Sequence, residues 1–478
     1  MKELLLSALA ALVSSAGVAQ TSIGWGAPLD CNMNGTGALR PRIALNGTGA
    51  PVVLWGDATS NSNHVSVGNG TSFSIPVDVA PAGWEPSLSY WMGSDMAAVG
   101  NTVWVVMKGL PEDIGPVYVR RSDDGGSTWG DTIRVDRPDG LLARFVSIDV
   151  ADPDGPMVQY MQFDEGFSGA RQVVTRLVDG AFTDPVQVSA PYAPGRVCDC
   201  CPGQIVADPD HAVALYRNAG SDIRVMWGAT SMDGGASFPI GGLVDTTGWE
   251  LSQCPSSGPD GYLAGDSIRY VWMSGANTGS KIYIGSASAD DLVLGGQRYV
   301  YPGQPFGNQQ NYPRIAGSGD TLGVVWEDHR NGESEILFSW SVNGVNGLTL
   351  PEVVNTITAG TQRTPDIAYR NGAFHIVWGE NDLGLTRYRS ATLLNTTGIT
   401  GRAVDKPLTI WPNPVQDVLH VEGTGWTHAL ILDAQGKTVA REQVRDGVID
   451  VSHIARGTYS ITLYDREGAI AVLRFEKQ

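Results

Sequence analysis

Arg42, Arg144, Arg314 and Arg363 share one recurring place in the sequence, the entry to an apolar, strand-like run. Guanidinium groups gathered at one spot suit a planar anion, because each can grip a carboxylate or sulfate with two parallel N–H bonds. A second set, Asp57, Lys108, Arg217, Asp328 and Glu380, follows the aromatic end of the next run. Carboxylates placed there could give and take protons. They could equally neutralise the arginines and serve only to hold the fold, and the sequence leaves both readings open.

The elements that carry these residues repeat roughly every 45 to 60 residues, a period typical of propeller blades. Most units open at a proline: Pro41, Pro86, Pro202, Pro255, Pro313 and Pro365. A second strand then ends in an aromatic and polar residues, as in Val53-Leu54-Trp55-Gly56-Asp57, Val324-Val325-Trp326-Glu327-Asp328 and Ile376-Val377-Trp378-Gly379-Glu380. Alternating third strands such as Glu335–Trp340 and short outer strands such as Glu352–Val354 complete each unit. Units begin near 41, 86, 144, 203, 256, 314 and 365. If the first and last share a blade, the count falls to six. Trp55, Trp272, Trp326 and Trp378 read as packing between blades rather than as sugar platforms.

Ser122-Asp123-Asp124-Gly125-Gly126-Ser127-Thr128-Trp129 is a self-contained turn, with an Asp to accept backbone N–H bonds and Gly to supply positive φ. A second copy runs from Ser231 through Asp233 and Gly235 to Phe238, and an eroded one spans Ser66 to Phe73. These stretches resemble the Asp-box of sialidases and related propellers, which closes the hairpin between the third and fourth strands of a blade. Arg42-Ile43-Ala44-Leu45 is similar to the sialidase Arg-Ile-Pro motif, with Ala44 in place of the proline. The resemblance implies that Arg42 grips a sialic-acid carboxylate and that Asp57 is the acid/base. Arg144, Arg217 and Arg314 compete for the remaining two arginine roles. The family's Tyr–Glu nucleophile pair has no clear counterpart, and Tyr312 and Glu380 are the candidates.

The C-terminal 70 or so residues change character. They open on Trp411-Pro412-Asn413-Pro414, continue through Asp433–Lys437 and Gly457-Thr458-Tyr459, and end on Leu473–Gln478. This stretch resembles the sorting domain of type IX secretion cargo. The resemblance implies passage across an outer membrane through that machinery and a surface or extracellular destination. At the other end, Lys2, an apolar run from Leu4 to Val13 and small residues near Ala19 read as a cleavable export signal. The expected organisation is therefore signal 1–19, propeller 20–400, linker 401–407 and sorting domain 408–478.

Export favours disulfides over metal for the five cysteines, although Cys198-Asp199-Cys200-Cys201 could be read as a soft-metal cluster. Cys201 and Cys254 each precede a unit-opening proline, which predicts that they pair, leaving Cys31 to join Cys198 or Cys200. The four histidines of the propeller region, His64, His211, His329 and His375, have no ligand spacing, so neither metal nor cofactor is expected. A formal net charge of −18 argues against nucleic acid as partner, and no apolar run is long enough to cross a bilayer as a helix. The expected fold is all-β, a six- or seven-bladed propeller followed by a small immunoglobulin-like sandwich. Its expected partner is a glycan or glycoprotein, and the expected glycan is anionic. The activity is either that of an exo-acting, sialidase-type glycosidase or that of a non-catalytic adhesion module.

Overall fold

Seven antiparallel sheets, each running from an inner strand outward, carry the repeats in the computed structural model of the protein. It describes residues 20–396 and 409–478, apart from 33–36, 190–191, 194, 278, 303–308, 330–331, 423–424, 434–436 and 466–469. The expected export signal and linker lie outside the described residues. The inner strands of blades 1 to 7 are Leu39–Leu45, Asp95–Val99, Leu142–Asp149, Gln204–Ala207, Asp260–Leu263, Gln310–Ser318 and Gln362–Arg370. The count is seven among the described residues. Blade 2 begins at Asp95 rather than at Pro86, which makes only an isolated bridge to Gly109. The outermost strand of blade 7 is Gln20–Trp25, from the other end of the chain, so the ring is closed by pairing the two ends of the propeller sequence.

Each of the seven blade-to-blade interfaces has its own buried apolar cluster. Trp55 packs with Val377 and Tyr388 of blade 7, Trp272 with Val213 and Leu215 of blade 4, Trp326 with Val271 and Ile284 of blade 5, and Trp378 with Val325 and Phe338 of blade 6. All four indoles are within 1% of complete burial, so they are packing residues as expected. Burying one such ring against the preceding blade contributes a few kcal/mol, about 3–5 on truncation to alanine. Apolar burial repeated at all seven interfaces is what positions the inner strands.

The Asp-box turns sit between third and fourth strands of blades 2 and 4. Asp124 Oδ1 accepts the N–H bonds of Ser127 (3.1 Å) and Thr128 (2.8 Å), and Asp233 Oδ1 that of Ser237 (2.9 Å). These bonds hold both carboxyls down at about 2, led by the hydroxyl bond from Thr128 in one and Ser237 in the other. The glycine of each box lies against the preceding blade. A Cβ on Gly126 would come within 2.8 Å of Val52, and one on Gly235 within 2.8 Å of Met157. The turn is thus also an inter-blade wedge.

The C-terminal unit forms a small sandwich. Its three-stranded sheet comprises Ile410–Trp411, Val418–Val421 and Val448–Asp450, and its four-stranded sheet Trp426–Leu432, Thr438–Gln443, Gly457–Asp465 and Ile470–Lys477. Val415, Leu419, Ile431, Ile449, Ile461 and Phe475 make a core of its own.

Candidate functional site at the channel mouth

One residue per blade lines the propeller axis at the same strand position: Arg42, Asp95, Ser147, Gln204, Asp260, Arg314 and Asp366. They form a belt that stitches inner strands together. Asp366 accepts the N–H of Ile43 (2.9 Å), Asp95 that of Ile148 (3.3 Å), Ser147 that of Ile205 (3.1 Å) and Asp260 that of Ile315 (2.8 Å). The two arginines close the gaps. Arg42 Nε lies 3.2 Å from Asp95, while Arg314 reaches Asp366 at 2.7 Å, Asp260 at 3.2 Å and the Gln204 amide oxygen at 3.3 Å. Burial opposes the charge on Arg314, but Asp260 and Asp366 outweigh it and hold its pKa above the ordinary value. Below the belt lies a cavity of about 310 Å³ bordered by Asp95, Asp149, Asp260 and Asp366.

Burial pushes Asp149 up to about 6, against the bonds it accepts from Ala207 and Val150. A carboxyl whose folded pKa lies above its unfolded value, about 3.9, costs stability above the folded pKa and regains it as pH falls between the two. The propeller should therefore be more stable near pH 5 than near pH 7.5. Asp149→Asn should remove part of that difference, about 1 kcal/mol because the group borders an open cavity, and melting curves at the two pH values measure it.

Above the belt the inner strands bulge. Pairing registers skip between Leu39 and Arg42, Arg144 and Ser147, Asn311 and Arg314, and Arg363 and Asp366. Within the skips, Arg40, Phe145, Tyr312 and Thr364 have φ of 45°, 57°, 47° and 47°. Each left-handed, non-glycine residue costs about 1–3 kcal/mol, and such strain concentrates where side chains must be re-aimed toward a site. Arg40, Tyr312 and Thr364, with Tyr90 and Trp91, line a small recess at the mouth. Arg363 stands over the Tyr90 ring, 4.9 Å from its centroid.

The electrostatics of this layer differ from those of the belt. Arg40 is buried, donates to the Gly93 carbonyl at 2.9 Å and forms no ion pair with a described carboxylate. Burial, then the neighbouring Arg42, push its pKa well down, so its charge is held against the local field. Arg363 has a buried Nε without a hydrogen-bond partner among the described residues. Burial raises Tyr312 to about 12, reinforced by the carboxylate of Glu327, with Arg363 and Arg40 acting in the opposite sense. Glu327 is itself buried and accepts the Thr364 N–H at 3.1 Å. The arrangement offers two cations and a neutral phenol to an incoming anion.

Of the residues expected from sequence, Tyr312 and Arg363 come together at the mouth, with Arg42 and Arg314 in the belt beneath. Arg144 pairs with Glu112 (2.5 Å) and lies over Phe145, beside Trp91. Arg217 is spent elsewhere. It is fully buried and ties blade 4 to blade 5 through the carbonyls of Ser257 and Met273. Asp57 closes its own turn, accepting from Thr59 (2.8 Å) and Ser60 (2.7 Å), and these bonds outweigh burial and hold its carboxyl low. Glu380 is buried against Arg387 at 3.1 Å. Neither carboxylate borders the recess or the cavity. Sequence pattern alone does not mark Arg40, Glu327, Tyr90 and Trp91, although Arg40-Pro41 and Tyr312-Pro313 share one signal, the residue before the strand-opening proline.

The cysteines correct the expected pairing. Cys254 bonds to Cys200, with Cα atoms 6.2 Å apart, and not to Cys201. Cys201 is fully buried beside Pro202, whereas Cys200, one residue earlier, is half-exposed like the rim that carries Cys254. Cys31 is a free thiol packed with Ile43, Val53 and Tyr388 at the junction of blades 7 and 1, so it joins neither Cys198 nor Cys200.

Residues 409–472 match the family model for the secretion system C-terminal sorting domain. The C-terminal sandwich is a type IX sorting domain. The protein is accordingly secretion cargo with a surface or extracellular destination. Comparison with curated protein sequences yields no match. Among solved structures, a polysaccharide lyase of family PL25, an ulvan lyase bound to -[GlcA(1-4)Rha3S]-, superposes with a TM-score of 0.51 at 9% identity, covering 75% of this chain and 94% of its own. Trypanosoma rangeli sialidase in complex with the inhibitor DANA gives 0.42 at 10% identity over 95% and 89%. Penicillium chrysogenum alpha-L-arabinanase complexed with arabinobiose gives 0.42 at 11% over 64% and 93%. What the sorting domain carries is a β-propeller whose fold is shared with carbohydrate-active enzymes.

Proposed function

We propose that the cargo propeller recognises anionic glycan at the channel mouth, with the carboxylate or sulfate of an acidic sugar held between Arg40 and Arg363. The observation that carries this reading is that these two guanidinium groups, alone in the mouth layer, have no carboxylate partner among the described residues. Arg40 is a buried cation without an anion, which is costly unless a ligand supplies one, and Arg363 is half-buried. Tyr90 and Trp91 beside them offer faces for the sugar ring. The ulvan lyase of similar fold holds an acidic, sulfated saccharide, which is the class of ligand proposed here. Bulk attraction contributes nothing, since the chain is strongly acidic, so affinity must come from these local groups.

Tyr312 favours a catalytic version of the same reading, because its phenol feels the charges of Glu327, Arg363 and Arg40 together. On that version Tyr312→Phe keeps ligand binding and abolishes turnover.

The experiment is calorimetric titration of the wild type, Arg40→Lys and Arg363→Lys with sialyllactose, a glucuronate- and sulfate-bearing ulvan oligosaccharide and neutral arabinotriose. Lysine keeps the charge and loses the fork. With a charge-assisted bond contributing about 1.5–3 kcal/mol, affinity for the anionic ligand should fall roughly 10- to 150-fold. Equal binding of the neutral sugar, or lysine variants that bind like wild type, would overturn the assignment.

A further inference from the structure

Four of the five cysteines meet at the rim, where blade 4 faces blade 5. The Cys200–Cys254 disulfide is flanked by two thiols: Cys198 Sγ lies 3.7 Å from Cys200 Sγ and 2.8 Å from Cys201 Sγ. The thiols of Cys198 and Cys201 are buried, whereas Cys254 is exposed. The segment is joined directly to the mouth, since Pro202, Gly203 and Gln204 follow Cys201 and Ser256 follows Cys254 by two residues, all of them lining the recess.

We propose that this disulfide is mobile: the Cys198 sulfur attacks Cys200 and expels Cys254, and Cys201 then attacks Cys198 and expels Cys200. The first step forms the Cys198–Cys200 bond and breaks Cys200–Cys254, and the proton given up by Cys198 ends on Cys254. The second forms Cys198–Cys201 and breaks Cys198–Cys200, and the proton of Cys201 ends on Cys200. One disulfide and two thiols exist before and after, so no oxidant or reductant is consumed. Exchange requires a thiolate within reach of a disulfide sulfur, and its rate follows the thiolate fraction. The hydrogen bond from Cys201 holds the Cys198 thiol below its ordinary pKa against burial, with Arg217 and Arg224 acting in the same direction, which raises its thiolate share. Burial raises Cys201, which fits it to act second.

The consequence lies at the mouth. In the original isomer the Cys254 segment is tied to Cys200. In the exchanged isomer the tie moves inside the Cys198–Cys201 loop, and Cys254 is an exposed thiol two residues from the recess. The site thus carries a switch between a clamped and a released rim that needs no change in overall redox state.

Mature protein purified without reductant should be labelled with maleimide at neutral pH, quenched in acid and mapped by mass spectrometry. Both Cys200–Cys254 and Cys198–Cys201 linkages are expected, with Cys254 labelled in the native state. Cys198→Ser should leave Cys200–Cys254 alone and abolish that labelling. Cys201→Ser should stop exchange at the Cys198–Cys200 stage, which keeps the test decisive if the first variant folds poorly. Four outcomes in the wild type would overturn the proposal: a single fixed Cys200–Cys254 linkage, a single fixed Cys198–Cys201 linkage, both disulfides closed in the same molecule, or a stoichiometric thiolate-bound metal ion.

Discussion

A chain cut before Thr409 should fold its propeller and be lost from the cell surface. The basis is the separation of roles between the two units. Residues Ile23–Leu393 make one unit with seven interface clusters, and the sorting domain has its own core around Leu419, Ile431, Ile449 and Ile461. Truncation therefore removes no residue of the inter-blade clusters and leaves intact the ring closure by Gln20–Trp25. It removes the whole of the segment that matches the secretion sorting family. Cell fractionation with immunoblotting should find the truncated protein in the periplasm, with the surface and medium signal gone rather than reduced. Its melting temperature should match that of the propeller in the full chain. Normal surface display of the truncated protein would mean that the address lies elsewhere.

The same separation explains what the sequence could and could not reveal. Blade order was legible, and the count to within one, because most second strands repeat an apolar run ending in an aromatic, and burial at one position per blade demands that repeat. Trp326 and Trp378 show it most plainly, since both are wholly interior. The site was less legible, and for a specific reason. The arginines after the prolines, Arg42 and Arg314, occupy the register position that faces the axis, and that position is consumed by belt formation with Asp95, Asp260 and Asp366. Access to the mouth falls instead to the residue before the proline, because a bulge turns it out of the ladder in a left-handed conformation. Nothing in residue type alone distinguishes Arg40 from Arg42. The difference is a dihedral angle that only the folded ring imposes. The expected cysteine pairing misses by a single position: Cys200 is half-exposed and Cys201 fully buried, so proximity to Pro202 is a poor guide to the partner of Cys254.

The belt also supplies the sharpest test of which arginines are structural. Replacing Arg314 by Met keeps volume and apolar stem but leaves Asp260 and Asp366, both buried, without their shared cation. Removing one partner of a buried ion pair costs about 3–5 kcal/mol, because the remaining charge stays desolvated. Total stabilities run about 5–15 kcal/mol, so this is a large fraction, and a fall of roughly 5–10 °C in melting temperature is expected at pH 7.5. The sign of the pH dependence follows from Asp260. Burial already holds it at about 6 despite Arg314, and without that cation it must move further up. A carboxyl raised in the folded state recovers stability as pH falls below its folded pKa, so the deficit of Arg314→Met should shrink between pH 7.5 and pH 5. Arg40→Lys, which breaks no ion pair, should show no comparable loss at either pH. If Arg314→Met instead melts like the wild type while anionic glycan binding collapses, then Arg314 holds the ligand, and the belt is not what secures the channel.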